Sequence, residues 1–311
     1  MLESDLEKRE KDAMKKASFF FVDVFSDRPL EGNPLAVVPD ADQIDEATMR
    51  RIAREFNQAE TTFLSSPTSA QADWRLRSFT PAGHEVFGAG HNALGAWWWL
   101  ASYGRLSHHG ESGEFHQQIG DEVLPLTVFW KDGDVASIEM RQSAPIFGKT
   151  VNDSAALADA LGLTAADILP GGFEAQVVST GAAHLLVPVR DRSAIERAKP
   201  DPAKLLPILR APEGEGCYLF CLDVVQSGSS AHARFFNPTV GIAEDAATGT
   251  AAGPLAALLV AKGIVADERV VAIEQGYALD RPSLIRIRIQ GNDVRISGRG
   301  CISAEGFLRL D

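Results

Sequence analysis

Two stretches of this 311-residue chain repeat one pattern, and that repetition constrains the fold more than any other feature. The first, FTPAGHEVFGAGHNALGAWWWLASYG, runs from Phe79 to Gly104. The second, FFNPTVGIAEDAATGTAAGPLAALLVAKG, runs from Phe235 to Gly263. Each gives a strand, a proline, an acidic residue, a glycine-rich turn, a small-residue helix and a glycine stop. Pro81 to Gly95 spans 14 residues and Pro238 to Gly253 spans 15; the helices then reach Gly104 and Gly263 after 9 and 10 more. Matched blocks about 157 residues apart point to a duplicated unit (Pro81 to Pro238).

The stretches around these blocks read mostly as strands. FFFVDVF (19–25), Leu35–Val38, TTFLSS (61–66), ADWRLRSFT (72–80), EVLPLTVFW (122–130) and VASIEMRQS (135–143) carry β-branched, aromatic or alternating residues. After Pro145 the strands AQVVSTG, HLLVPV, GCYLFCLDVV, AHARFFNP, VVAIEQG, LIRIRIQ and VRISGRGCISAEGFLRL follow. Helices are expected over EATMRRIAREF, with Asp45 as its N-cap, over SAALADALGL, and over SAIERAKPDPAKLLPIL with proline breaks. Hairpin-type connections dominate, so an α+β fold of largely antiparallel sheet is expected, not a doubly wound parallel one. Residues 1–17 read as an N-terminal arm, 18–142 as one domain and 143–311 as a second, with the last strand free to return to the first.

Composition narrows the partners. With 42 acidic and 30 basic residues the net charge is −12, which argues against nucleic acid and anionic membrane. No apolar run approaches the ~18 residues of a membrane span. The charged N-terminus lacks the form of a signal peptide, so the cytoplasm is the expected location. Cys217, Cys221 and Cys301 make no disulfide framework, and the first two flank a strand-like run in which buried thiols are expected, not zinc ligands. The histidines His84, His184 and His232 lack ligand-like spacing, and His108-His109 reads as solvated loop. No metal or cofactor site is expected.

The stretch GAGHNALGAWWWL (88–100) looks at first like a phosphate loop, but it does not fit one. A dinucleotide fingerprint needs its third glycine three residues after the second, and an acidic residue ~20 positions on. Here Gly95 comes five after Gly90, no acid follows until Glu111, and no P-loop Lys-Ser/Thr is present. The helix has no polar face, so it should be surrounded by protein, and Trp97, Trp98 and Trp99 are core residues. Its start is another matter. Unpaired N–H groups at a buried helix start need a partner, and Gly90-His91-Asn92 would bring them close to a carboxylate. Thr248-Gly249-Thr250-Ala251 offers the same in the second block. Gly90, Asn92, Gly249, Thr250 and Ala251 are therefore the candidate substrate-binding residues. Glu60, His91 and Asp245 are the acid–base candidates; Glu60 lies amid apolar neighbours that would raise its pKa toward neutrality. Taken singly, either carboxylate reads more readily as a cap or ion-pair partner, and His91 as a core histidine.

Together these residues resemble the phenazine-biosynthesis isomerase-like (PhzF-like) family. The resemblance runs through VDVFSDRPLEGNPLAVV (22–38), REFNQAETTF (54–63), FTPAGHEVFGAGHNALG (79–95), STG (179–181) and RFFNPTVGIAEDAATGTAAGPLAAL (234–258), then weakly through RPS (281–283) and ISGRGCISAEG. It implies two similar domains, each a sheet around a central helix, as in diaminopimelate epimerase. It also implies a homodimer and isomerisation of trans-2,3-dihydro-3-hydroxyanthranilate without metal or cofactor. The family's proton-shuttling glutamate falls on Glu60, its Gly-His histidine on His91, and the aspartate of its Glu-Asp-Pro-Ala-Thr-Gly-Ser motif on Asp245. Ala246 stands where the family usually has Pro, Thr250 where it has Ser, and Asn92 where it has Pro or Ala. One extra residue falls between Pro81 and Glu85. These departures surround the ligand and bear on substrate identity. The catalytic cysteines of the epimerase relatives fall near Ala89 and Ala247, which argues against a two-thiol racemase.

The function expected is thus a cofactor-independent isomerase or tautomerase acting on a small carboxylate-bearing metabolite in a cleft between the domains. The other reading is a small-molecule-binding or regulatory protein of the same fold that has lost turnover.

Overall fold

In the computed structural model, residues 15–107, 110–168, 171 and 173–310 are described. The first fourteen residues of the arm and the His108-His109 pair lie outside them. The first strand begins at Lys15, not Ser18, because residues 15–17 pair with Leu308–Leu310.

Strand pairing repeats as the sequence does. One series of neighbours is Gly300–Leu310, Lys15–Val24, Asn33–Val38, Thr61–Ser65, Trp74–Phe79, Ser112–Ile119, Glu122–Lys131 and Asp134–Gln142. The other is Ile146–Val151, Ala175–Ser179, Ala183–Pro188, Gly216–Cys221, Ala231–Asn237, Val270–Gln275, Ser283–Gln290 and Asp293–Gly298. In both series the third strand runs parallel to the fourth and the fifth parallel to the sixth; the other pairings are antiparallel. Parallel neighbours need a crossover, and each crossover contains helix. Glu46–Phe56 fills one, Arg192–Arg197 with Pro202–Arg210 another, and the two central helices, His91–Ser102 and Gly249–Ala261, fill the remaining two. The series join where Asp134–Gln142 pairs with Asp293–Gly298. The outer strand of the first series thus comes from the far end of the chain.

Side chains repeat too. Arg77 makes paired hydrogen bonds of 2.7 Å to Glu85 and lies over the Phe79 ring. Arg234 does the same to Glu244 at 2.8 and 2.7 Å and lies over Phe236. Each pair fixes a short strand, Glu85–Val86 or Ile242–Asp245, just ahead of a central helix. This register makes Gly90-His91 equivalent to Gly249-Thr250, and Thr248, not Ala247, equivalent to Ala89.

The central helices are buried on all sides, as an all-apolar circumference demands. The three tryptophans diverge into one core. Trp97 donates to Gln117 at 2.9 Å and packs on Phe115, while Trp99 packs on Phe20 and Tyr103. Trp98 lies over Gly300, where a Cβ would come within 2.8 Å of the indole. Cys217 and Cys221 are free and buried, with burial pushing both thiols up, Cys221 to about 12. Strand Ser112–Ile119 escapes pattern reading because it buries glutamines. Gln117 is used by Trp97, and Gln118 accepts from Thr68 and Ser69 backbone N–H groups.

Candidate active site

Glu60 follows the helix Glu46–Phe56 and directly precedes strand Thr61–Ser65. Asp45 caps that helix through the Thr48 N–H, and Asn57 ends it in the left-handed region, turning the chain back toward the sheet. The parallel pairing of Ala36 with Thr61 then holds Glu60 at the head of its strand. His91 is the first residue of the first central helix. Its Nδ1 lies 3.9 Å from Glu60 Oε2, too far for a direct hydrogen bond. Both side chains are largely buried, 18% and 11% exposed, yet Glu60 Oε2 and His91 Nε2 have no hydrogen-bond partner. Two adjacent polar groups of this kind are aimed at something other than each other.

Their titration is displaced in opposite directions. Burial, and after it the charge of Asp245, pushes Glu60 up to about 8. Burial alone pushes His91 down to about 4. At neutral pH the pair is a mostly protonated carboxyl beside a neutral imidazole, not an ion pair.

Asp245, at the end of the short strand before the second helix, is held on both oxygens. Asn33 Nδ2 donates to Oδ1 at 2.8 Å and the Thr248 hydroxyl donates to Oδ2 at 2.5 Å. Burial raises its pKa to about 6, against the lowering effect of these two bonds and of the Ala246 N–H. Gln275 completes the surround: its amide donates to Asp245 O and Thr248 Oγ1, and its oxygen accepts from Tyr218 and the Thr248 N–H. Asn33 also donates to Ala247 O, so one buried side chain from the first repeat ties down the approach to the second helix. Asn33 is itself held by its loop. Arg281 binds Asp23 at 2.6 Å and the carbonyls of Glu31 and Gly32.

The helix starts differ in what they offer. Neither has a side-chain cap, so the N–H groups of His91 in the first start and of Gly249 and Thr250 in the second remain available to an anion. Gly249 also lets the helix start pack closely, since a Cβ there would stand 2.5 Å from Ile296 Cδ1 and displace that side chain. The Thr250 hydroxyl lies 3.2 Å from His184 Nε2. The Asn92 side chain turns away from Glu60: it accepts from the Gly90 N–H and donates to Ser78 and Gly88, locking the turn. Ala251 is fully buried and its N–H bonds to Thr248 O. The Asn92 side chain thus has no polar atom left over for a ligand, and Ala251 offers neither a polar side chain nor a free N–H.

Pattern reading missed Asn33, Gln275 and His184. Asn33 lies 212 residues from Asp245, and no local signal marks that pairing. A cleft of about 550 Å³ opens elsewhere, between the 25–31 loop and Tyr277–Arg286, and none of the three acid–base candidates lines it.

Known proteins match the chain along nearly its whole length. The family described as "Phenazine biosynthesis-like protein" matches residues 22–306. A trans-2,3-dihydro-3-hydroxyanthranilate isomerase of Pseudomonas fluorescens is 31% identical over 298 residues, covering 94% of this chain and 99% of that protein. The crystal structure of a PhzF-family phenazine biosynthesis protein of Bacillus anthracis matches with a TM-score of 0.84 and 28% identity, over 95% of this chain and 99% of that one. A hydroxyproline epimerase of Agrobacterium vitis shares the fold alone, at a TM-score of 0.61 and 13% identity over 95% of this chain and 93% of its own. The chain belongs to the phenazine biosynthesis-like family and is an isomerase.

Proposed function

We propose that the enzyme moves a proton within a small carboxylate-bearing metabolite, without a cofactor, using Glu60 as its one proton carrier. The observation that carries this reading is the buried Glu60 carboxyl, with Oε2 unpartnered 3.9 Å from His91. In its ionised form Glu60 takes a proton from carbon, and the electron pair left behind shifts an adjacent double bond. The protonated Glu60 then returns that proton to the far end of the shifted system, so substrate and product differ only in where hydrogen and double bond lie. A carboxyl with a pKa near 8 suits both halves of this cycle.

Asp245 supports the cycle electrostatically, since its own oxygens are occupied by Asn33 and Thr248. His91 stays neutral and can hydrogen-bond a substrate heteroatom. The uncapped starts at His91 and Gly249, one from each repeat, hold the carboxylate between them. The repeat carries the base on one side only. Thr61 pairs with Phe79 as Cys217 pairs with Phe236, so the counterpart of Glu60 is Gly216, and the neighbouring Glu215 is exposed. A single base favours proton return to the same face, that is, isomerisation over racemisation.

The test is proton NMR in deuterium oxide with trans-2,3-dihydro-3-hydroxyanthranilate and a panel of small unsaturated amino acids. At least one carboxylate should be converted or exchange a carbon-bound proton, and its decarboxylated analogue should be inert. Equal turnover of the analogue would remove the carboxylate from the account.

A further inference from the structure

His184 was not distinguished by spacing, yet it sits directly behind the second helix start. It is buried, and its ring packs edge-on against Phe235 with 5.1 Å between centroids. Nε2 lies 3.2 Å from Thr250 Oγ1, while Nδ1 has no partner. The residue across the parallel pairing is Gly216, where a Cβ would meet Phe235 at 2.5 Å, so no side chain can be placed there to serve Nδ1. We propose that His184 is a positioning residue that fixes the Thr250 hydroxyl as a hydrogen-bond donor into the cleft. This deepens the functional reading above and rests on it.

The argument is one of proton placement. A buried N–H without an acceptor is the costlier orphan, so the single ring proton belongs on Nε2, which faces the threonine oxygen. Burial keeps the ring neutral, holding its pKa near 4. With Nε2–H donating to Oγ1, the hydroxyl proton cannot point back at the imidazole. Thr250 is in the first turn of its helix, so no helical carbonyl lies one turn behind to receive it. The proton is therefore directed outward, beside the free N–H groups of the same turn. That combination recognises a carboxylate oxygen or the oxyanion that develops when its α-carbon is deprotonated. The repeat gives the arrangement meaning: Thr250 is the counterpart of His91, so the first start is flanked by the proton carrier Glu60 and the second by an oriented donor.

Two measurements test this. In ¹⁵N-labelled protein, His184 should show a protonated Nε2 and a bare Nδ1, and Thr250→Val should move the Nε2 resonance. A protonated Nδ1, or no response to Thr250→Val, overturns the proposal whatever the substrate proves to be. The second is calorimetric binding of anthranilate. Thr250→Val and His184→Leu should each weaken it about tenfold, the double variant no further, and His184→Gln, which keeps a donor at similar reach, should recover most of the loss. Additive losses overturn the coupling. If wild type binds no anthranilate, the functional reading loses its support for a ring amino acid, and the tautomer measurement still decides the role of His184. Thermal melting checks His184→Leu for folding; should it unfold, His184→Gln and Thr250→Val carry the test.

Discussion

At Glu60 the fold keeps a carboxyl out of water without giving it an ion-pair or hydrogen-bond partner for Oε2, and stability must register that. The pKa is raised in the folded state, so folding favours the protonated form: its benefit is complete below about 4.5 and is lost as pH rises through about 8. Glu60→Gln cannot ionise. It should melt near wild type at pH 4 and be more stable at pH 9, by on the order of 5 kcal/mol if the whole shift is expressed. His91 has the opposite sign, since its lowered pKa makes stability fall as pH drops from about 6.5 toward 4. The same titration governs catalysis that starts from the carboxylate, so kcat/KM should rise with pH through about 8. Asn33→Ala removes a donor from a buried charge and should cost about 1.5–3 kcal/mol of stability or transition-state binding, read as roughly a tenfold or greater loss in kcat/KM. Glu60 was legible in the sequence because an acid amid apolar residues at the head of a strand is unusual, and the resemblance to a known family reinforced it. Asn33 was not, because its partner is 212 residues away and only the closed fold brings the two together.

At the level of elements, the two central helices were the most legible part of the chain. An unbroken apolar circumference has one soluble solution, burial within sheet, and the three tryptophans fill three directions of it. Trp97→Ala empties a fully buried site and strips the Gln117 side-chain oxygen of its donor, so a loss of about 3–5 kcal/mol in denaturant unfolding is expected. Gly249→Ala should damage the site with less effect elsewhere, because the added methyl meets Ile296 and Phe25 directly at the helix start. Strand Ser112–Ile119 was illegible for a physical reason. Its buried glutamines satisfy partners from other elements, and apolar alternation is the wrong signal for such a strand. Asn92 teaches the converse, since the polar side chain beside the catalytic candidate spends its hydrogen bonds on the turn.

For the whole molecule the decisive fact is that the repeats are not closed in sequence order. Gly300–Leu310 completes the sheet around the first central helix, and Trp98 rests on Gly300. Deleting residues 300–311 should therefore disrupt the first repeat, with a red shift of tryptophan fluorescence, although the deletion lies at the opposite end of the chain. Duplication was visible in the two matched blocks, and the return of the last strand to the first domain was left open there; the register of its pairing with Lys15–Val24 is long-range and local pattern does not encode it. The proposed site takes its proton carrier from one repeat and the carboxylate whose charge acts on it from the other. The most direct measurement of that claim is carbon-bound proton exchange in deuterium oxide, comparing wild type with Glu60→Gln on a substrate the wild type turns over. The variant should stay folded, bind the substrate and exchange at least about a thousandfold more slowly, the scale of a lost general base. Exchange at the wild-type rate would show that another group carries the proton.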